Sequence, residues 1–246
     1  MRIRDYIKPG DLSHAYERLV GTKGAVVMGG GIFLRLQNRT VPLMIDLADL
    51  GLDGVNITGD RVEIGAMTTL RQIEKHIGLP EALTEAMKQI AGVSVRNMAT
   101  IGGSVMGRYP FSDVIPVLLS LDTTLHFHSS GDMPLQDYLE NGLPCCDILT
   151  HMTFKMPEKS AYKAYKTIYT DFALVNVCVT KKEGYCVSIG ARPGHSKCVS
   201  VDGPGDVLSS VEQFEFGTDH RASAEYRKAL AMALLEDIWE GGETWK

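Results

Sequence analysis

The segment between Val95 and Asp113 constrains this chain more than any other. It reads Val-Arg-Asn-Met-Ala-Thr-Ile-Gly-Gly-Ser over residues 95–104 and Tyr-Pro-Phe-Ser-Asp over residues 109–113. Because glycine has no Cβ, the pair Gly102-Gly103 can adopt positive φ and let backbone N–H groups approach anionic oxygens closely. The segment is therefore predicted to cradle a diphosphate, and a tight turn is the alternative for a glycine pair taken alone.

A second glycine element, Gly29-Gly30-Gly31, ends the short apolar run of residues 24–28. Two such elements can supply backbone donors to one extended dinucleotide, which favours a nucleotide cofactor over two unrelated turns. The first element is not a Rossmann fingerprint, because Leu34 stands where the third glycine is required. A Walker phosphate loop is excluded as well, because the chain has no Gly-Lys-Ser or Gly-Lys-Thr sequence.

Composition narrows the class of partner. The 246 residues are 44% hydrophobic, enough to bury one large core or two modest ones. The formal net charge of -5 argues against a nucleic-acid or anionic-membrane surface, which clusters Lys and Arg. No apolar run approaches the roughly 20 residues of a membrane span, and the N-terminal residues lack an apolar signal core. We therefore expect a cytoplasmic protein that binds small molecules or other proteins.

The cysteines and histidines give no metal site. The five cysteines include the adjacent pair Cys145-Cys146 and form no Cys-x-x-Cys clip, so all five are interpreted as reduced thiols. His126 and His128 share one face of a predicted strand, but no third ligand accompanies them. They are interpreted as surface residues of that strand.

Residue periodicity predicts alternating helices and strands. Asp11 is expected to cap a helix that ends at Gly21, and the sequence around Gly59-Asp60 indicates a hairpin. Thr68 and Thr69 are expected to open another helix. Further helices are predicted at residues 81–91, 114–121 and 223–239, and further strands at 24–28, 124–128, 148–154, 173–180 and 185–191.

The run from Val95 to Leu121 resembles the FAD-binding subunit or domain of the molybdenum hydroxylase family, which includes xanthine dehydrogenase and carbon monoxide dehydrogenase. That family carries Val-Arg-Asn-x-Ala-Thr-Ile-Gly-Gly-Asn, then Ser-Pro-x-Ser-Asp and Pro-x-Leu-x-Ala-Leu, and most of this order recurs here. The resemblance covers nearly the whole chain, with further matches at residues 6–9, 28–30, 64–66, 162–163, 171–173 and 226–230.

The resemblance implies an α+β protein. Residues 1–157 would form a two-subdomain FAD-binding fold of the PCMH and vanillyl-alcohol-oxidase type, with FAD between the subdomains. Residues 158–246 would form a smaller C-terminal α+β domain like that of the carbon monoxide dehydrogenase flavoprotein.

Cofactor-binding residues are also implied by the resemblance. The Gly29-Gly30 and Gly102-Gly103 amides would face the diphosphate, and Thr100 would add a hydroxyl donor. Asp113 would accept hydrogen bonds from ribityl or ribose hydroxyls or brace its loop, and Asp113→Ala is expected to weaken FAD binding with limited effect on folding. Lys163 would lie near the flavin or be solvated. The full implied set is Val26, Val27, Met28, Gly29, Gly30, Gly31, Ile32, Phe33, Ile90, Thr100, Gly102, Gly103, Ser104, Gly107, Asp113, Leu149 and Lys163.

The function that the resemblance implies is electron transfer through FAD, with no obligatory catalytic side chain and no metal ligand in this chain. Electrons would come from the iron-sulfur clusters of a small partner subunit, fed by a large subunit that holds the molybdenum cofactor, and would leave to an acceptor such as NAD. The chain departs from the family at Gly31-Ile32, Ser104 and Tyr109, so weaker FAD binding is expected. A FAD-less assembly subunit and a stand-alone flavin reductase are the alternatives.

Overall fold

A computed structural model describes residues 1–240 and residue 245. Its strands are β1 (Arg2–Ile7), β2 (Val26–Met28), β3 (Thr40–Asp46), β4 (Val55–Thr58), β5 (Arg61–Gly65), β6 (Thr124–Phe127), β7 (Gly131–Pro134), β8 (Leu149–Lys155), β9 (Lys159–Tyr165), β10 (Val175–Lys181), β11 (Tyr185–Gly190) and β12 (Lys197–Val201). Its α-helices are α1 (Leu12–Gly21), α2 (Leu70–Lys75), α3 (Glu81–Lys88), α4 (Val93–Arg96), α5 (Ile101–Met106), α6 (Val114–Ser120), α7 (Leu135–Asn141), α8 (Asp206–Ser209) and α9 (Ala224–Glu240).

The chain divides into two compact units, and each unit is assembled from three separate segments. The first unit contains residues 1–72, 93–107 and 124–154. The second unit contains residues 73–92 and 108–123 together with the chain from residue 155 onward. The domain boundary expected near residue 157 stays a prediction.

The first unit begins with a parallel three-stranded sheet in the order β1-β3-β2. Helix α1 packs on it through Ala15 and Leu19, which join Leu43 and Ile45 of β3 in one apolar cluster. Asp11 caps the helix as the sequence indicates, because its carboxylate accepts a hydrogen bond from the His14 amide at 2.8 Å. This arrangement leaves β2, which precedes the Gly29-Gly30-Gly31 element, at an edge of the sheet.

A five-stranded sheet in the order β4-β5-β8-β6-β7 completes the first unit. The hairpin expected around Gly59-Asp60 is confirmed, with Val62 and Ile64 of β5 fully buried. The Tyr138 hydroxyl of α7 donates to the Met106 carbonyl at 3.2 Å, which ties α7 to the C-terminal end of α5.

The second unit is built on an antiparallel four-stranded sheet in the order β12-β11-β10-β9. Alternate residues of β10 face two different helices. Val175, Val177 and Val179 pack against the Leu235 face of α9, whereas Cys178 contacts Ser120 of α6 at 3.1 Å. Because both sheet faces are covered, β10 reads as a continuous buried run rather than an alternating one.

One interpretation of the cysteines was wrong. Cys186 and Cys198 form a disulfide between the neighbouring strands β11 and β12, with their Cα atoms 6.5 Å apart. Cys145 and Cys146 are exposed free thiols, and Cys178 is a buried one. The pairing depends on the register of β11 and β12, and β12 was not recognised in the sequence.

His126 and His128 contact different partners. His126 lies in β6, where its Nδ1 contacts Asp132 Oδ1 at 2.6 Å and its ring stacks on His151 of β8 at 4.2 Å. His128 follows the strand and packs edge-on against the ring of Tyr16.

The described part of the chain has no helix that is both long and apolar enough to cross a bilayer.

Replacing His151 tests the electrostatics of the stacked rings. Burial, followed by the nearby charge of His126, lowers the pKa of His151 below its ordinary value. The unfolded chain therefore takes up this proton more readily, and the unfolding free energy should fall as the pH drops through about 6.5. We expect His151→Asn to show a shallower fall than the parent between neutral and mildly acidic pH in urea unfolding. The exposed His220→Asn is the control, and equal slopes for all three proteins would contradict the assignment.

Candidate cofactor site

The first glycine element lies at the open end of β2. Residues 26–33 are all half-buried, whereas Leu43, Met44 and Ile45 of the neighbouring strand β3 are fully buried. The end of β2 therefore presents partly uncovered apolar side chains next to the three glycines. Such a surface is typical of the wall of a ligand site.

Residues 29–32, called the first loop below, have backbone amides that are available to a ligand. Within residues 1–240 and residue 245, no protein acceptor pairs with the N–H group of Gly29, Gly30, Gly31 or Ile32. Gly31 has φ of +70°, a conformation that an L-residue with a Cβ rarely adopts. Successive unpaired amides around a left-handed residue form a concave donor set that binds anions.

The second glycine element is a helix start rather than an open cradle. Thr100 caps α5, and its Oγ1 accepts from the Gly103 amide at 3.2 Å. The Gly102 amide donates to the Ala66 carbonyl at 2.9 Å, and the Ser104 amide donates to the Thr100 carbonyl at 3.1 Å. Both amides thus donate within the protein in this structure, and the expectation that Gly102 and Gly103 face a diphosphate stays a prediction.

Gly29, Gly30 and Gly102 lie where neighbouring segments approach too closely to leave room for a Cβ. A Cβ on Gly30 would lie 1.6 Å from the Met98 carbonyl oxygen, and one on Gly29 would lie 2.6 Å from Thr100 Oγ1. A Cβ on Gly102 would lie 2.6 Å from the Ala66 carbonyl oxygen. The structure thus brings the first glycine element into direct contact with the turn that precedes α5, within the first unit.

The other implied site residues occupy varied positions. In the first unit, Ser104 Oγ donates to the Thr100 carbonyl, Gly107 ends α5, and Leu149 is buried in β8. In the second unit, Ile90 follows α3 and Lys163 lies in β9. Lys163 is partly exposed and pairs with Asp237 of α9.

Asp113 is the centre of a buried polar network in the second unit. Its Oδ1 accepts from the Tyr162 hydroxyl at 2.5 Å and from Asn176 Nδ2 at 3.2 Å. Its Oδ2 accepts from Lys166 Nζ at 2.8 Å, and the side chain is 6% exposed. Burial, together with the negative charge of Asp113, raises the pKa of Tyr162 well above its usual value, so the phenol stays a donor. The network supports the interpretation of Asp113 as a brace for its loop.

Lys166, rather than Lys163, is the buried lysine of this region. Its side chain is only 6% exposed, and Nζ also donates to the Gln89 carbonyl at 2.6 Å. Sequence reasoning assigned no role to Tyr162, Lys166 or Asn176, because neither β9 nor its pairing with the predicted strand β10 was recognised. The alternation of Ser160 and Tyr162, which are both buried, is the signal that was available.

A methyl group on Gly30 should break the contact between the first glycine element and the turn that precedes α5. Because the obstacle is a backbone carbonyl, Gly30→Ala requires a loop shift, and we expect a loss of about 1–3 kcal/mol of stability together with loss of retained FAD. Thermal unfolding and released-flavin absorbance measure the two effects. Gly10→Ala is the matched control, since a Cβ there meets nothing within 4 Å. Full flavin retention by a stable Gly30→Ala protein would contradict the assignment.

Removing the Asp113 carboxylate should destabilise the fold, contrary to the expectation from the sequence. Asp113→Ala leaves the Lys166 charge buried without its partner, which costs about 3–5 kcal/mol. We expect the double variant Asp113→Ala/Lys166→Met to recover much of that loss in urea unfolding, because it removes both charges. A single variant that unfolds like the parent would show that the pair is not buried in solution.

Comparison with known proteins shows the family to which this chain belongs. The family model described as FAD binding domain in molybdopterin dehydrogenase matches residues 1–146. Over 96% of its length the chain is 32% identical to YgfM, an uncharacterized protein of Escherichia coli (strain K12), and it covers 95% of that protein. It is 24% identical to the caffeine dehydrogenase subunit beta of Pseudomonas sp. (strain CBB1), with 94% of this chain and 91% of that protein covered.

A solved structure of the Cu,Mo-CO dehydrogenase in its cyanide-inactivated form has a chain with the same fold. The TM-score is 0.84 at 22% identity, and 95% of each chain is covered. At this identity the likeness concerns the fold alone, and it confirms the expected mixed α and β architecture.

Proposed function

Since the chain belongs to the family of FAD-binding domains in molybdopterin dehydrogenases, we propose that it is the FAD-carrying electron-transfer subunit of a molybdenum-containing hydroxylase or dehydrogenase. Its cofactor is FAD. In this proposal, electrons come from the iron-sulfur clusters of a partner subunit and leave to an acceptor such as NAD. A xanthine dehydrogenase-like specificity, like the location in the cytoplasm, stays a prediction from the sequence.

The set of unpaired amides from Gly29 to Ile32 is the observation that carries the proposal. An FAD diphosphate needs several donors and tolerates no buried carboxylate beside it, and this loop offers amides next to the positive φ of Gly31. The half-buried side chains at the end of β2 offer apolar contact beside those amides. These residues therefore fit the group that the family binds.

The chain's own residues have the task of holding the cofactor and excluding water. The first loop would donate N–H groups to the diphosphate. Thr100 Oγ1 accepts from the Gly103 amide, so its own hydroxyl hydrogen can be donated to a nearby oxygen. When bound, FAD supplies the exchange between one-electron and two-electron transfer, and no side chain of this chain needs to act as acid or base.

The name of a similar protein supports the proposal that this chain is one subunit of a larger enzyme. The similar protein from Pseudomonas sp. (strain CBB1) is named as a subunit of caffeine dehydrogenase. By analogy, we propose that a large subunit with the molybdenum cofactor and a small iron-sulfur subunit are the partners of this chain. The substrate would then be chosen by the large subunit, because this chain offers electron transfer rather than substrate oxidation.

Flavin content and flavin reduction test the proposal. The purified chain, alone and with its partner subunits, should release FAD in a one-to-one ratio, and flavin-free protein should take up added FAD. Anaerobic NADH should bleach the flavin absorption if NAD is the acceptor. A colourless protein that binds its partner subunits but takes up no FAD would replace the proposal with the assembly-subunit alternative.

A further inference from the structure

Two adjacent thiols lie outside the cofactor site and are not used by the proposed function. Cys145 and Cys146 are both exposed and both unoxidised, in the loop that joins α7 to β8. Among the other cysteines, Cys186 and Cys198 are bonded to each other and Cys178 is buried. The exposed pair is therefore the thiol group of this chain that small reagents can reach.

The loop is anchored directly beside the pair. Asp147 is buried and accepts hydrogen bonds from the amides of Ser130 at 2.6 Å and Ile148 at 2.7 Å, with Ser129 at 3.1 Å. Burial opposes ionisation of this carboxyl, but the hydrogen bonds from Ser130, Ile148 and Ser129 hold its pKa below the usual value. The charged Asp147 thus fixes the base of the loop, while the two cysteines ahead of it stay in solvent.

The spacing of the pair decides what kind of disulfide it can form. Neighbouring Cα atoms across a trans peptide are about 3.8 Å apart, whereas ordinary disulfides join Cα atoms that are about 4.4–6.8 Å apart. A bond between Cys145 and Cys146 would therefore be strained, and it would also be exposed. Strained and exposed disulfides are the readily reduced ones, so the bond would form and break reversibly.

We propose that Cys145 and Cys146 form a reversible thiol redox site, which closes to an intraloop disulfide on reaction with low-molecular-weight disulfides. One thiolate attacks a sulfur of the small disulfide, whose S–S bond breaks and releases one small thiol. The second thiolate then attacks the protein sulfur of the mixed disulfide and releases the other small thiol. Two protein thiols are oxidised, one disulfide is reduced to two thiols, and the two protons pass to the leaving thiolates.

Cys178 serves as an internal control for this reactivity. Burial raises the pKa of the Cys178 thiol to about 11, and its Sγ lies 3.1 Å from Ser120 Oγ within the core. A buried thiol with so little thiolate does not exchange with small disulfides. Any oxidation of Cys178 would therefore report unfolding rather than chemistry at the exposed loop.

The sequence makes the site simple to follow by mass spectrometry. No Lys or Arg occurs between Tyr109 and Lys155, so trypsin releases Cys145 and Cys146 together on one peptide without any other cysteine. Cys178 is released on a separate peptide that ends at Lys181. The full chain is treated with excess oxidised glutathione, alkylated, digested and analysed.

We expect the peptide ending at Lys155 to lose two hydrogen atoms, to resist alkylation, and to regain both thiols with dithiothreitol. Cys145→Ser and Cys146→Ser should stop instead at a stable mixed disulfide with glutathione, and both variants should keep the parent's melting temperature. Phenylarsine oxide should protect the reduced parent from alkylation, but not the single variants. Two alkylatable thiols after oxidation, or a parent that stops at the mixed disulfide as the variants do, would overturn the proposal.

Discussion

The first unit depends on the close approach of the Gly30 backbone to the Met98 carbonyl. That contact leaves no room for a Cβ, and it holds the loop after β2 against the turn that starts α5. The same turn is fixed from its other side, because the Leu70 amide donates to Ala99 and the Ile101 amide donates to Thr68. With this turn locked, the first amides of α5 donate within the protein, whereas those of Gly29 to Ile32 have no acceptor in the part of the chain that the structure describes.

The second unit depends on a comparable internal constraint. Asp113 and Lys166 are almost fully buried, and such a pair is stable only where further groups satisfy the remaining hydrogen-bonding capacity. Tyr162, Asn176 and the Gln89 carbonyl supply those groups. An acid in a motif that resembles a cofactor site can therefore serve the folding of its own unit.

Local patterns in the sequence predicted local structure well. The Asp11 cap, the hairpin around Gly59-Asp60 and the buried helix α6 follow from neighbouring residues alone. The Cys186–Cys198 bond and the burial of Lys166 could not be predicted, because both depend on which strands lie side by side. The role of Thr100 as the cap of α5 was not predicted either, since a Thr that caps a helix and an open turn share the same residues. Distinguishing them requires knowing where each amide donates.

We propose that FAD meets the amides of Gly29 to Ile32 as its donors, and not those of Gly102 and Gly103, which donate within the protein. Residue-resolved amide hydrogen exchange of the flavin-free and FAD-loaded protein tests it directly. We expect Gly29 to Ile32 to exchange rapidly without FAD and to slow markedly when it binds, whereas Gly102 should be protected in both states. Exchange at Gly29 to Ile32 that FAD leaves unchanged would show that these amides do not bind the cofactor.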